Sequence, residues 1–317
     1  RSCQLLRWPS CPPSPGRAAR VVPSLPQHTA PFVRFKQVPR DAKQGLVGQV
    51  FSSVANSYDV MNDLMSGGLH RLWKDRLVES LRPFPGQEHL DVAGGTGDVG
   101  FRQQQQQQQQ HQERQRRRRS GEEAGCGRER GCWAGGRAGA GGADAGGPVA
   151  PGRVVVCDIN PDMLRVGQQK ARSSTDLAGD TGLAFVEGNA EALPFASGSF
   201  DSYTVAFGIR NVTDRPAALR EALRVLKPGG RLLVLEFSHV TQPGLRELYD
   251  AYSFAVIPRI GGLVAGDAAS YQYLVESIRK FPDQETFARM IEDAGFRAVT
   301  YENMSGGIVS LHSGFKL

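Results

Sequence analysis

The first residues that could do chemistry form a glycine-rich stretch behind a short apolar run. Residues 89–98 have the sequence His-Leu-Asp-Val-Ala-Gly-Gly-Thr-Gly-Asp, so an expected strand leads into Gly94, Gly95, Thr96 and Gly97. Because glycine has no Cβ, such a backbone can turn sharply and bring its N–H groups against a ligand. The stretch predicts a cofactor-binding loop, although its spacing also matches a dinucleotide fingerprint and glycine-rich turns that hold no ligand.

Two more polar groups follow expected strands. The strand at 153–158 ends in Asp158, and the strand at 183–186 is followed by Asn189 and Ala190. An acid at the tip of the second strand of such a sheet can accept hydrogen bonds from both ribose hydroxyls of a nucleoside. Asp158 could also cap the helix that Pro161 begins, and the two roles are compatible. The turn at Asn189 and Ala190 can recognise the edge of a base.

A fourth expected strand, residues 200–207, opens into a polar rim at 208–213 that contains Arg210 and Asn211. Ligands of doubly wound α/β folds bind at the carboxyl edge of the sheet. We therefore expect this rim to border the active site.

The elements that must position these residues alternate between strands and helices. After the rim come a helix at 215–226, the corner Lys-Pro-Gly-Gly at 227–230 and a strand at 231–237. Two helices, at 270–280 and 283–294, and two closing strands, at 297–301 and 307–316, follow. The order predicts an α/β protein with a doubly wound sheet.

Two helical patterns precede the glycine-rich stretch. The first runs from Leu46 to Ser66, where Tyr58 and Asp59 interrupt the apolar residues and form either a lid over the ligand or part of the packing. The second is expected to turn one stripe inward, made of Leu69, Leu72, Trp73, Arg76, Leu77, Ser80 and Leu81. The expected fold therefore includes a helical N-terminal lid.

The segment at 103–152 departs from this pattern. Eight consecutive glutamines and the run Arg116–Arg119 leave residues 103–119 without an apolar side chain, and a Gly/Ala/Arg-rich stretch follows. Such a composition predicts a disordered insertion that cannot supply the core helix expected after the first strand. Only one aromatic residue, Trp133, lies among the arginines, so a solvated loop is favoured over an RNA-binding arm, and no nucleic-acid partner is expected.

The charge excess lies in the same segment and at the N-terminus. Residues 1–40 contain six Arg, one Lys and no acid, and residues 103–152 contain eight Arg against five acids, within a chain of 317 residues and net charge +6. The acid-free start predicts a mitochondrial transit segment at 1–40, or else a basic tail. The five cysteines show no metal spacing or disulfide framework, and no apolar run is long enough to span a membrane.

The order of these motifs resembles class I S-adenosylmethionine-dependent methyltransferases with a Rossmann-like sheet. Three stretches are more specifically similar to the ubiquinone/menaquinone biosynthesis C-methyltransferase family: residues 91–98, residues 207–213, and Tyr249-Asp250-x-Tyr252-Ser253. The resemblance covers about residues 46–102 and 153–317, so residues 41–317 are expected to form the methyltransferase domain around the polar segment.

The resemblance implies S-adenosylmethionine as cofactor and methylation of the ring of 2-methoxy-6-polyprenyl-1,4-benzoquinol in ubiquinone biosynthesis. It also implies the mitochondrial matrix, peripheral contact with the inner membrane, and a complex with other ubiquinone-biosynthesis proteins. A homodimer is a further hypothesis.

For such a substrate the protein aligns the ring carbon, the methyl group and the sulfur and helps to remove protons. Arg210 is the candidate to stabilise a developing phenolate, or else an ion pair of the rim, while Asn211 and Tyr58 would orient the ring. The apolar segment with Tyr249, Tyr252 and Phe254 would receive the prenyl tail, or else pack on its own core.

Two other functions remain open at this point. An NAD-dependent oxidoreductase would explain the glycines, but not the Asn189-Ala190 turn or the Lys-Pro-Gly-Gly corner. A non-catalytic scaffold would explain the unusual polar segment. No histidine cluster or Cys/His pair indicates a metal site or covalent catalysis.

Overall fold

The computed structural model describes residues 52, 59, 62–63, 66–84, 86–120, 152–175, 177, 181–242, 244–245 and 268–317. All of them belong to one compact unit, Pro39–Leu317. Elements are numbered below in chain order over these residues.

A seven-stranded sheet forms the centre of this unit. Its strands are β1 (Glu88–Val92), β2 (Arg153–Asp158), β3 (Leu183–Glu187), β4 (Phe200–Ala206), β5 (Leu226–Phe237), β6 (Arg297–Met304) and β7 (Val309–Phe315). The spatial order is β3-β2-β1-β4-β5-β7-β6. The first five strands pair in parallel, and β7 runs antiparallel to both of its neighbours. The doubly wound α/β fold predicted from the sequence is confirmed.

The described residues include six α-helices whose bounds are known. They are α1 (Leu69–Leu81), α2 (Asp98–Ser120), α3 (Pro161–Ser173), α4 (Arg215–Val225), α5 (Ala268–Lys280) and α6 (Gln284–Asp293). Alternate residues of β5 enter two different apolar clusters: Leu232 and Val234 pack with residues of α4 and α6, while Leu233 and Leu235 pack with residues of α1 and α2. Successive side chains of a strand point to opposite faces, so helices cover both faces of the sheet.

The helix α2 corrects a sequence prediction. Residues 103–119 were expected to form no helix against the sheet, yet α2 runs from Asp98 to Ser120 and packs on β2. Gln103, Gln104 and Gln107 are buried, with Gln103 Nε2 donating to Gln87 Oε1 at 2.9 Å. Glutamine is a good helix former, and amides that find partners can be buried. The prediction was wrong because it allowed only apolar side chains to make a buried face; residues 121–151 lie outside the described part.

The buried face of α1 also differs from the prediction. Trp73, Leu77 and Leu81 are buried as expected, but Leu69 and Leu72 are 42% and 63% exposed. The inward positions are taken instead by three other residues, His70, Lys74 and Val78. Lys74 can be buried because its Nζ donates to Asp98 at the start of α2. This charged pair between two helices allows the buried face of α1 to differ from the purely apolar pattern.

Of the segment before α1, the described residues are helical, namely Ser52, Asp59, Asn62, Asp63 and Ser66. Within the described ranges no helix is long and apolar enough to cross a bilayer. Tyr58, Tyr249, Tyr252 and Phe254 lie outside the described residues.

Candidate active site

A cavity open to solvent lies at the carboxyl edge of β1, β2, β3 and β4, with about 840 Å³ of empty space that includes part of that solvent. The site residues predicted from sequence that line it are Gly95, Asp158, Asn189, Ala190 and Asn211. It is also lined by Val92, Ala93, Ile159, Asn160, Met163, Gly188, Glu191, Phe207, Gly208, Val212 and Thr213. The strand order therefore gathers five of the predicted residues around one space.

The glycine-rich loop turns in conformations that need its glycines. Gly95 and Gly97 have φ of 56° and 86°, in the left-handed region that glycine enters most easily. Gly94 needs space instead, because a Cβ there would lie 2.8 Å from Asp91 Oδ2 and from Val156 Cγ1. Gly94, Thr96 and Gly97 are not among the cavity-lining residues, so they shape the loop while Gly95 lines the cavity.

Asp158 joins the tip of β2 to the glycine-rich loop. Its Oδ2 accepts from the backbone N–H of Gly95 at 2.8 Å, and its Oδ1 accepts from that of Asn160 at 2.9 Å. Burial raises the pKa of Asp158, and these backbone donors oppose the shift. The helix cap is Asn160, whose side chain accepts from two N–H groups of α3, so capping is not the role of Asp158. Each carboxylate oxygen has a second lone pair, and Asp158 lines the cavity where a ribose could use them.

A buried chain of hydrogen bonds lies beneath the loop. Thr204 Oγ1 donates to Asp91 Oδ1 at 2.8 Å, so its single proton is used and it must accept from His89 Nε2 at 3.1 Å. His89 Nδ1 then accepts from Ser202 Oγ at 2.8 Å. Burial lowers the pKa of His89 to about 3, so the ring is neutral, as this chain requires. The chain fixes Asp91 directly under Gly94.

The loop after β3 is held to the rim after β4. The Oδ1 atom of Asn189 accepts from the backbone N–H of Glu191 at 2.9 Å, which makes a tight turn. Glu191 Oε1 accepts in turn from the N–H groups of Thr213 and Asp214, both at 2.9 Å. These contacts fix the distance between the two walls of the cavity.

Arg210 forms the ion pair that was one of its two predicted roles. Its side chain is 6% exposed and its Nη1 lies 3.1 Å from Oε1 of Glu236, whose side chain is fully buried at the end of β5. Burial raises the pKa of Glu236, and Arg210 opposes the shift. Arg210 is not among the cavity-lining residues. The pair also holds the backbone of the rim, because Glu236 Oε2 accepts from the backbone N–H of Arg210.

Asn211 reaches the cavity and has a partner that the sequence did not indicate. The hydroxyl of Tyr273, on α5, donates to Asn211 Oδ1 at 3.1 Å. Neither Glu236 nor Tyr273 was a candidate from the sequence, because Glu236 sits in an apolar strand and Tyr273 in an ordinary helical pattern. An acid ending an otherwise apolar strand was the available signal for Glu236.

The N-terminal helical segment touches both loops at the cofactor edge. Asp59 accepts from Thr96 Oγ1 at 3.4 Å and is ion-paired with Lys170 of α3. Ser52 and Asn160 exchange hydrogen bonds at 3.2 and 3.5 Å. Ser52 and Asp59 therefore both contact residues that follow β1 and β2.

Two non-glycine residues of the cavity wall have positive φ, Ala93 at 52° and Phe207 at 56°. Such conformations are uncommon and cluster at functional sites. Gly208 lets the walls approach closely, since a Cβ there would lie 2.4 Å from the Cβ of Ala93. No group of acidic, histidine or cysteine side chains able to hold a metal ion occurs among the described residues.

Comparison with known proteins identifies the type of site. A model of the ubiE/COQ5 methyltransferase family matches residues 37–316. The protein named 2-methoxy-6-polyprenyl-1,4-benzoquinol methylase, mitochondrial, of Oryza sativa subsp. japonica is 53% identical over 295 residues, covering 92% of this chain and 90% of that protein. The protein of the same name from Homo sapiens is 51% identical over 323 residues, covering 100% of this chain and 94% of that protein.

Solved structures agree on the fold. A SAM-dependent methyltransferase from Thermotoga maritima, described as a possible histamine N-methyltransferase, has a TM-score of 0.52 at 16% identity and covers 85% of this chain and 99% of its own. The [4+2]-cyclase SpnF has the same TM-score at 15% identity, covering 85% and 94%. At such identities the likeness concerns the fold alone. With a family model spanning most of its length and relatives above 50% identity, the chain belongs to the ubiE/COQ5 methyltransferase family.

Proposed function

We propose that this protein transfers a methyl group from S-adenosylmethionine to a ring carbon of 2-methoxy-6-polyprenyl-1,4-benzoquinol, a step of ubiquinone biosynthesis. The relatives that share half of its residues over nearly their whole length carry the name of that activity. The observation that carries the proposal is Asp158, a carboxylate at the tip of β2 that lines a cavity facing Asn211 on the rim after β4. The family match gives no support to the oxidoreductase or the scaffold.

The cofactor would lie across the tips of β1, β2 and β3. Asp158 would hold the two ribose hydroxyls, the loop at Gly95 would border the methionine part, and Asn189 and Ala190 would border the base. When bound, S-adenosylmethionine supplies a methyl group on a positively charged sulfur. Gly94, Thr96 and Gly97 would act through the shape of the loop.

The ring would lie on the β4 side. A quinol ring carbon is electron-rich, so it forms the new bond to the methyl carbon while the methyl–sulfur bond breaks, and the ring then loses the proton from that carbon. The protein's task is mainly alignment and exclusion of water. Apolar residues of the wall, Val92, Phe207 and Val212, would exclude water, and Asn211 would orient a ring oxygen.

Arg210 would contribute less directly than Asn211. Its charge is largely balanced by Glu236, so its effect on a developing phenolate would be that of a neutral pair rather than of an isolated cation. Tyr58 would contact the ring from the lid, next to Asp59, which already touches Thr96.

The prenyl tail would bind the apolar segment that contains Tyr249, Tyr252 and Phe254, and that segment would also meet the matrix face of the mitochondrial inner membrane. Each buried CH₂ contributes about 0.8 kcal/mol, so two isoprene units would outweigh the polar contacts of the ring. Residues 1–40 would direct the chain to the mitochondrion. We further propose association with other ubiquinone-biosynthesis proteins and a homodimer.

Asp158→Ala tests the cofactor site. The change removes a charged acceptor of two ribose hydrogen bonds, so affinity for S-adenosylhomocysteine should fall by about 2–4 kcal/mol, at about 1.5–3 kcal/mol for each bond less the gain in solvation. Calorimetry measures the affinity directly. Asp162→Ala, the removal of another carboxylate four positions further along, is the matched control and should bind normally. Equal binding by Asp158→Ala and the parent protein would contradict the assignment.

Tail dependence tests the substrate. Quinols with no tail, one isoprene unit and two units should bind with rising affinity, and the preference should shrink in Phe254→Asp. Tail-independent affinity in the parent protein would place the lipid site elsewhere.

A further inference from the structure

Tyr273, on α5, contacts Asn211 on the rim of the cavity after β4. Its hydroxyl lies 3.1 Å from Asn211 Oδ1, and its side chain is half-buried. The same helix is held to the rim a second time, because the guanidinium of Arg215 lies 5.3 Å above the ring of Phe281, directly after α5. Arg215 also donates to the carbonyl of Arg210. Helix α5 and the rim at 209–211 are therefore fixed to each other.

The direction of this hydrogen bond decides which face of the Asn211 amide is left for a ligand. Burial raises the pKa of Tyr273, so the hydroxyl keeps its proton and can donate it to Oδ1. An asparagine amide has one acceptor oxygen and two N–H donors on its nitrogen. Within the described residues, Asn211 makes no other side-chain hydrogen bond that could use those donors. With its oxygen held by Tyr273, Asn211 offers N–H groups to the cavity that it lines.

The position of Asn211 indicates whether those N–H groups would meet the cofactor or the methyl-accepting substrate. Asp158 and Asn189 lie at the tips of β2 and β3, at the nucleoside end of the proposed cofactor site. Asn211 lies in the turn after β4. An N–H donor there would face an acceptor on the methyl-accepting molecule, and a quinol carries such acceptors as ring oxygens.

We propose that Tyr273 is a positioning residue that fixes the Asn211 amide with its N–H donors toward the cavity, so that Asn211 selects a ring oxygen of the quinol. This inference rests on the proposed function. It explains why a tyrosine of α5 reaches the rim, and it assigns substrate orientation to a contact between residues 62 positions apart.

A double-mutant cycle tests whether Tyr273 acts through Asn211. Tyr273→Phe keeps the ring and removes only the hydroxyl, so kcat/KM for a short-chain quinol should fall about tenfold, the effect of roughly one hydrogen bond. The kcat/KM of Asn211→Ala should fall at least as far. The kcat/KM of the double variant should be no lower than that of Asn211→Ala alone. Additive losses would show that the two residues act independently and would overturn the proposal, as would unchanged kcat/KM in Tyr273→Phe.

The side-chain amide resonance of Asn211 separates a ring contact from a cofactor contact. In ¹⁵N-labelled protein this resonance is identified by its absence in Asn211→Asp. It should move when a tail-less methoxyquinol is added to the complex with S-adenosylhomocysteine, and hardly at all when S-adenosylhomocysteine binds alone. A large shift with S-adenosylhomocysteine alone would make Asn211 a cofactor ligand and would overturn the proposal. In Tyr273→Phe the free protein should already show an altered resonance.

Two controls keep the outcomes distinct. Tyr301→Phe removes the hydroxyl of a tyrosine that is 40% exposed on β6, and its kinetics should match the parent protein. Affinity for S-adenosylhomocysteine should stay within twofold in Tyr273→Phe, which shows that the cofactor site is intact. If the parent protein does not methylate the quinol, the proposed function fails, whereas the resonance experiment still reports whether Tyr273 holds Asn211.

Discussion

The helices α2 and α3 occupy equivalent places in the fold, but α2 buries glutamines where α3 buries small or apolar side chains. Each follows a strand, starts at the cofactor edge and packs on β2. In α3 the buried residues are small or apolar: Met163, Leu164, Gly167 and Ala171. In α2 only the first turns are apolar, and the next buried positions are glutamines. Amide side chains can therefore form the face of a helix that is buried against the sheet, provided that a hydrogen-bond partner such as Gln87 is available.

The two helices also begin differently. The first turn of α3 is capped by the neutral amide of Asn160, which accepts from the N–H groups of Asp162 and Met163. The first turn of α2 lies near the buried Asp91 carboxyl group. Burial raises the pKa of Asp91 to about 7, while Thr204, Lys74 and Gly100 oppose the shift. The start of α2 should therefore respond to pH.

The largest expected effect comes from breaking the buried part of α2. Gln104→Pro removes a helix hydrogen bond beside the sheet and should reduce the free energy of unfolding by about 3 kcal/mol or more. Gln112→Pro lies where α2 is exposed and should cost much less, because the helix can end there. Denaturant unfolding measures both. Equal losses, or none, would mean that the packing of α2 contributes nothing.

A smaller effect should follow from removing the amide partner of α2. Gln87→Leu leaves the amide of Gln103 buried without its 2.9 Å partner, which should cost about 1–3 kcal/mol. Replacing Gln87, Gln103 and Gln107 together by Leu should recover most of that loss, because the amides that pair with Gln87 are then removed with it. Thermal and denaturant unfolding of the single and triple variants would decide the matter. A triple variant less stable than the single one would contradict this account of the interface.

The pH dependence sharpens the contrast between the two helix starts. An unfolded Asp91 releases its proton near pH 3.8, whereas the folded protein keeps it until about pH 7. Between these values the folded state binds more protons, so the free energy of unfolding falls as pH rises. From pH 5.5 to 6.5 the loss should be about 1.4 kcal/mol, and Asp91→Asn should lack it. Parallel pH profiles of parent and variant would show that Asp91 is not the responsible group.

The smallest expected effect concerns the hydroxyl that holds Asp91 beneath the glycine-rich loop. Thr204→Val keeps the shape of the side chain but cannot donate to Asp91, so affinity for S-adenosylhomocysteine should fall by about 1 kcal/mol, roughly fivefold. Thr204→Ser keeps the hydroxyl and should bind normally. Nitrogen NMR of His89 should show the tautomer protonated at Nε2 in the parent protein. Equal affinities of Thr204→Val and Thr204→Ser for S-adenosylhomocysteine would show that the buried chain of hydrogen bonds does not influence the glycine-rich loop.

Much of the fold and part of the site were predictable because their signals are local. The strand at 153–158 was predicted with the bounds that the structure has, since a run of valines ending in an acid has few alternatives. Asp158 and Asn211 were found by their places at strand ends, which parallel topology brings to one edge. Arg210 was placed at the rim correctly, but its ion pair with Glu236 joins residues 26 positions apart, and no local pattern indicates such a pair.

The sequence by itself determined the order of strands, the glycine-rich loop, the acid at the tip of β2 and the family, because each depends on neighbours in the chain. Only the tertiary structure decided that Gln103 and Gln107 are buried, that Lys74 rather than Leu72 faces inward on α1, and that Tyr273 holds Asn211. The physical reason is common to all three. Whether a polar side chain can be buried depends on a partner from another element, and the fold alone brings that partner within hydrogen-bond distance.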